Sequence, residues 1–229
     1  MSTMADTPHP PVLRLGLLPG DGVGPEVVAS AVAALECLAE TSDPEAEEPF
    51  HFQTVTLEAG WGAFEKSGAA LPAATVKELQ GCDGALFGAV GSPSRRVEGY
   101  TSPIVALRRE FDLYANLRPL SGNGVDMLIV RENTEGLYAG REHQPDPDTA
   151  ITERVITRQA STRITRCAFE QAVKRAASPG RNRHPRVTIV HNANVVRTGD
   201  GLFREAALAV AEDFRYEHPE IEVEEQLVD

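Results

Sequence analysis

The stretch 125–138, VDMLIVRENTEGLY, is where residue types and spacing promise chemistry. An apolar run ends in Arg131, and Tyr138 follows seven residues later. Arginine presents a planar five-donor fork that matches a carboxylate. A tyrosine beside it can pass a proton to or from a reacting carbon or oxygen. The competing reading is a strand capped by a surface ion pair between Arg131 and Glu132, a common arrangement worth little energy. Two more arginines, Arg108 and Arg118, arise in other segments. Each alone reads as a solvated surface charge. Three such arginines near element ends, with a tyrosine, suit a clamp for a polyanion.

These side chains need elements to position them. The run before Arg131 is β-prone and reads as a buried strand, with the arginine at the strand end where α/β sheets bind ligands. Residues 12–18 read as a first strand, followed by PGDGVGPE and a helix whose apolar positions are Val28, Val32, Leu35 and Ala39. The glycines at 20, 22 and 24 fall short of a full dinucleotide fingerprint, so a tight strand-to-helix turn is the preferred reading. Strands at 50–57 and 83–90 and helices at 59–68 and 72–79 continue a β, α, β alternation, which favours helices packed on a sheet. Ser92, Arg95 and Arg96 sit in a Gly/Ser/Pro loop beyond a strand end, and 104–112 reads as a helix carrying Arg108. Residues 139–149 are polar and proline-containing and read as an exposed arm. A strand at 151–157, a helix at 159–176, a strand in RVTIVHNANV and a helix through Phe203, Ala207, Val210 and Phe214 complete the pattern.

The totals exclude several classes. A net charge of −12 argues against nonspecific binding to nucleic acid or to an anionic membrane. No apolar run approaches the ~20 residues of a membrane span. Three cysteines without metal-ligand spacing suit reduced thiols in an intracellular protein. The opening MSTMADTPHPP lacks the pattern of a signal or transit peptide, and a cytoplasmic location is expected.

Taken together, GLLPGDGVGPEV, GALFGAVGSPS, LRREFDLYANLRP, VRENTEGLYAG and VTIVHNANVVRTGDGLF resemble the β-decarboxylating dehydrogenases that act on isocitrate, 3-isopropylmalate and homoisocitrate. They occur in family order, and the segment 87–119 is most similar to the homoisocitrate branch. The resemblance implies an α/β fold of the isopropylmalate dehydrogenase type, with a two-domain mixed sheet and flanking helices. Residues 1–103 would begin the larger domain, and 104–229 would form the smaller, dimerising domain with an arm at 139–157.

It also implies NAD-dependent oxidative decarboxylation of a tricarboxylate with a malate unit, a step of lysine biosynthesis through aminoadipate. The cofactors would be NAD and Mg2+ or Mn2+, and the assembly a homodimer. By the same match Arg108, Arg118 and Arg131 hold substrate carboxylates, and Ser92 and Val105 meet the substrate's variable arm. Tyr138 protonates the enol, Asn194 lies near the nicotinamide, and Asp229 is a metal ligand. Two departures stand out. The family has a lysine for proton transfer where this chain has Asn192, and members continue well past the last residue here, into further metal aspartates and an adenosine-binding loop. The expectation is a chain that binds substrate but turns it over poorly, as a fragment, a truncated product or a noncatalytic regulatory or assembly relative.

Overall fold

The computed structural model describes residues 12–41, 51–95, 97–178 and 184–228. The expectations for the opening residues, most of the acidic loop, Arg96, the centre of the basic loop and Asp229 lie outside the described residues. The chain divides into two compact units, Met1–Glu110 and Phe111–Asp229.

In the first unit, β1 (Val12–Gly20), α1 (Gly24–Thr41), β2 (His51–Thr56), α2 (Trp61–Ser67), α3 (Ala73–Leu79), β3 (Gly84–Ala89) and α4 (Pro103–Glu110) follow in order. The three strands form a parallel sheet, β2-β1-β3, with β1 central. Parallel neighbours require crossovers, which the helices provide. Leu17 and Leu18 of β1, Val28 of α1 and Leu79 of α3 are buried. The helix carrying Val105 and Arg108 belongs to this unit.

The glycine-rich turn is held by packing. Gly20 has φ 74°, and a Cβ there would overlap the Ala89 carbonyl, so β1 and β3 approach closely only because that side chain is absent. Asp21 then ties three segments together. Its backbone N–H donates to Ala89 O (2.7 Å). Its carboxylate accepts from the N–H groups of Trp61 (2.7 Å), Gly62 (2.9 Å) and Gly91 (3.0 Å). Helix α2 begins after Gly60, which has no side chain to cap it, and Asp21 satisfies its first donors from a distance of forty residues.

In the second unit, β4 (Ala115–Gly122) and β5 (Val125–Glu132) form an antiparallel hairpin. A 3-10 turn (Leu137–Ala139) leads to a second hairpin of β6 (Glu142–Asp146) and β7 (Thr149–Thr152). Then come α5 (Arg158–Ala177), β8 (Arg186–His191), α6 (Gly199–Glu217) and β9 (Glu222–Leu227), with β8 and β9 parallel. Phe169 is fully buried and packs against Phe214 in a tilted pair, 5.0 Å between ring centres, between α5 and α6, with Val187, Val210 and Ile221 around them.

Several expectations change. The strand before Arg131 is half-exposed and alternating, because it sits in a hairpin with one face open, not inside a parallel sheet. β4 was hidden by Pro119. That proline is tolerated because it pairs with Leu128 on a two-stranded ladder whose other edge is open. The polar arm is a hairpin with a register shift between His143 and Asp146 and with every strand residue exposed, and the strand expected over 151–157 stops at Thr152. β9, EVEEQL, was masked by its acidic residues, which find partners instead: Glu222 with Arg186, and Glu225 with Arg204.

Helix α5 begins where the sequence provides a cap. Thr157 Oγ1 accepts from the Ala160 N–H (3.2 Å) and donates to Glu135 Oε2 (2.8 Å). Thr157→Ala is expected to cost about 1 kcal/mol of stability, read from urea midpoints.

Candidate active site

The site residues of the second unit gather at one end of its strands. Arg175, near the end of α5, pairs with Asp126 at the start of β5 (2.6 Å). Arg163, near the start of α5, contacts Glu132 at the end of β5 (3.4 Å). Helix α5 therefore runs antiparallel to β5. β8 follows α5 and returns along it, so β5 and β8 run in the same direction. The carboxyl ends of both strands, Arg131 and Glu132 on one and His191 and Asn192 on the other, lie toward the same end, which is where ligands bind in such layers.

Arg131 and Glu132 do not form the ion pair that the bland reading required. Neighbouring strand residues point to opposite faces. Glu132 turns inward and accepts from the N–H groups of Asn133 (2.9 Å) and Thr134 (2.6 Å). Arg131 turns outward and donates from Nη2 to the Tyr138 hydroxyl at 2.7 Å, with its guanidinium carbon 5.2 Å from the ring centre. The phenol lone pair is used by the arginine, so the phenolic proton is directed elsewhere. Residues paired across an antiparallel ladder share a face. Asn116 opposes Arg131 and Arg118 opposes Ile129, so Arg118 and Arg131 stand diagonally on the same open face. Arg118 Nε is held by Asn116 Oδ1 (2.8 Å).

The turn after β8 is fixed by a buried carboxylate. Asp200, 3% exposed, accepts the Asn192 N–H on Oδ2 and the Arg154 guanidinium on Oδ1, both at 2.6 Å. The Asn192 carbonyl accepts from Val195 and Val196 N–H groups. Its side-chain Oδ1 is buried without a hydrogen-bond partner among the described residues. Asn194 stands exposed in the same turn. His191 Nδ1 accepts from the Ala193 N–H (3.2 Å), which places the ring proton on Nε2, facing Glu225 Oε2 (3.3 Å). Arg204 on α6 grips the same carboxylate, and together with His191 it holds the Glu225 carboxyl below the usual range. Arg154, Arg163 and Asp200 carried no spacing signal in the sequence, because their partners lie 46, 51 and 8 residues away.

In the first unit, Ser92 lines an open hollow of about 910 Å3 with Arg95, Glu98 and Tyr100. Trp61, Phe64 and Tyr100 form an aromatic cluster with centroids 5.3–5.6 Å apart. The Tyr100 hydroxyl donates to Gly91 O (3.1 Å), which steadies the loop that carries Ser92. Burial, with the Asp21 charge nearby, raises the Tyr100 phenol pKa. Val105 and Arg108 lie three residues apart on α4 and so share a helix face.

The family model described as isocitrate/isopropylmalate dehydrogenase matches residues 14–229. The chain belongs to this family. It is 38% identical to the homoisocitrate dehydrogenase of Methanocaldococcus jannaschii, over 95% of this chain and 61% of that protein. It is 40% identical to the isocitrate/homoisocitrate dehydrogenase of Thermus thermophilus, over 94% of this chain and 60% of that protein. Among solved structures, the isocitrate dehydrogenase of Methylococcus capsulatus superposes with a TM-score of 0.77 at 34% identity, covering 95% of this chain and 61% of that one. The chain thus spans about three fifths of the length of the curated relatives it matches. The named relatives are dehydrogenases, and the mixed parallel and antiparallel pairing is the architecture expected of the family.

The cofactors of an isocitrate/isopropylmalate dehydrogenase fit these residues only in part. No three His, Cys, Asp or Glu side chains come together as a metal ligand set among the described residues, and Asp229 lies outside them. The expected nicotinamide contact, Asn194, is an exposed turn residue. No described helix is long and apolar enough to cross a membrane.

Proposed function

We propose that this chain supplies the substrate-holding elements of a β-decarboxylating dehydrogenase acting on a 2-hydroxy acid with a malate unit. Homoisocitrate is the first substrate, and isocitrate and 3-isopropylmalate are the alternatives. The observation that carries the reading is the 2.7 Å Arg131–Tyr138 contact at the carboxyl end of β5, with Arg118 on the same face. Two guanidinium groups there bind carboxylates of the substrate. Tyr138, oriented by Arg131, delivers a proton to the enol left after carbon dioxide departs. Arg108, with Ser92 and Val105 of the first unit, is assigned to the remaining carboxylate and the variable arm. NAD, with Mg2+ or Mn2+, would accept the hydride and polarise the hydroxyl oxygen. A cytoplasmic homodimer is the accompanying assembly.

The test begins with binding. Arg131→Gln is expected to raise the dissociation constant for homoisocitrate about 10–100-fold by calorimetry, since a hydrogen bond to a charged group is worth about 1.5–3 kcal/mol. Tyr138→Phe should leave that constant nearly unchanged and lower turnover. Turnover is followed as NADH formation with magnesium, for this chain alone and joined to the portion by which the Thermus relative exceeds it. Equal affinity of the Arg131→Gln and parent chains for all three acids would remove the assignment.

Asn192 favours a second reading. An amide has no proton to exchange near neutral pH, which suits a noncatalytic subunit of a related dehydrogenase. That reading wins if the joined chain binds a partner dehydrogenase yet forms no NADH from any of the three acids.

A further inference from the structure

Arg163 sits near the start of α5 and is half-buried. Its guanidinium reaches three segments of the second unit at once. Nη1 donates to both oxygens of Asp112 (2.9 and 3.0 Å), Nε to Glu132 Oε2 (3.4 Å) and Nη2 to Thr134 Oγ1 (2.7 Å). The guanidinium carbon also lies over the Tyr114 ring, 4.4 Å from its centre. Partial burial opposes the charge, but the Asp112 and Glu132 carboxylates outweigh it and hold the pKa above the ordinary arginine value.

These contacts fall around the Arg131–Tyr138 pair. Glu132 follows Arg131 in β5, and Thr134 opens the turn that ends at Tyr138. Residues 112–114 lead into β4, whose Ala115 and Asn116 pair with Glu132 and Arg131. The Thr134 hydroxyl accepts from Arg163, so its own proton goes to Glu132 Oε1 (2.7 Å). Arg163, Thr134 and Glu132 thus close a ring at the root of the turn. Asp112 has φ 45°, a left-handed backbone that a residue with a Cβ keeps only where its surroundings hold it. The grip of Arg163 on its carboxylate supplies that hold. A simple ion pair needs one acceptor. Three acceptors in different directions and a ring face require a planar fork, which the compact ammonium of a lysine does not offer.

We propose that Arg163 is a positioning residue: its fork holds the entry to β4, the end of β5 and the start of the Tyr138 turn in one register, and through them the Arg131–Tyr138 contact. The inference rests on the proposed reading of that contact as the pair that holds a substrate carboxylate and delivers a proton.

The test is a double-mutant cycle on the full chain, with homoisocitrate as the probe in calorimetry. Arg163→Gln is expected to raise the dissociation constant about tenfold in the parent chain. In an Arg131→Gln chain the same change should raise it by less than about twofold, because the group that Arg163 positions is already gone. Arg163→Lys keeps the charge and should behave like Arg163→Gln. Asp112→Asn alters an exposed carboxylate and leaves the ring intact, so it should weaken binding in the same direction by a smaller factor. An equal loss in both backgrounds, or full affinity restored by the lysine, overturns the proposal. Amide exchange without ligand separates it from the functional reading. In Arg163→Gln the amides of Thr134, Gly136 and Tyr138 should exchange roughly tenfold faster or more, with those of buried Phe169 and Val210 unchanged. If the parent chain binds none of the three acids, the functional reading falls and this exchange decides the role of Arg163. Unchanged exchange in the turn, or equal acceleration at Phe169 and Val210, overturns it.

Discussion

Asn192→Lys is expected to raise turnover of homoisocitrate ~10²–10⁴-fold in the joined chain, the range by which a positioned general acid–base group accelerates a reaction. The position is already built for such a group. It follows the last residue of β8, at the carboxyl end where Arg131 also lies, and its N–H is clamped by Asp200. The asparagine Oδ1 it would replace is buried and makes no hydrogen bond among the described residues, so losing it costs little. A lysine amine can exchange a proton with the substrate hydroxyl, and an amide cannot. The readout is kcat from NADH formation, with the homoisocitrate dissociation constant as control. A gain in kcat at constant affinity supports the reading. An unchanged kcat would mean that position 192 does not take part in proton transfer here.

The second large effect is on stability. Asp21→Asn is expected to destabilise the first unit by about 3 kcal/mol, because three N–H donors converge on one carboxylate and an amide must turn its own N–H toward at least one of them. The pH dependence follows from the same contacts. Burial pushes the Asp21 carboxyl up, but the N–H groups of Gly62, Trp61 and Gly91 outweigh it and hold the pKa below its ordinary value. A carboxyl depressed in the folded state stabilises above its unfolded pKa of about 3.9, and that stability is lost as pH falls through the lower folded value. Urea midpoints of the parent chain should therefore drop as the pH is lowered below about 4. The Asp21→Asn variant should start lower and show a flatter acid limb. Parallel acid limbs in the two proteins would show that Asp21 is not the group responsible.

Much of the site was legible in the sequence because its signals are local. An apolar run ending in Arg131, Tyr138 one turn further on, and a glycine-rich turn after β1 all depend on neighbours in the chain, and the spacing of apolar residues locates α1, α5 and α6 on the same basis. Asn192 was visible for the same reason, as one residue out of keeping with the motif around it. The tertiary structure decided what depends on distant partners. Glu132, adjacent to Arg131 and chemically as conspicuous, serves the turn and Arg163, because strand alternation sends the two side chains to opposite faces. Asp21, which looked like one more turn residue, holds three segments through amides that come together only in the fold. β9 reads as an acidic surface segment until Arg186 and Arg204 are brought beside it.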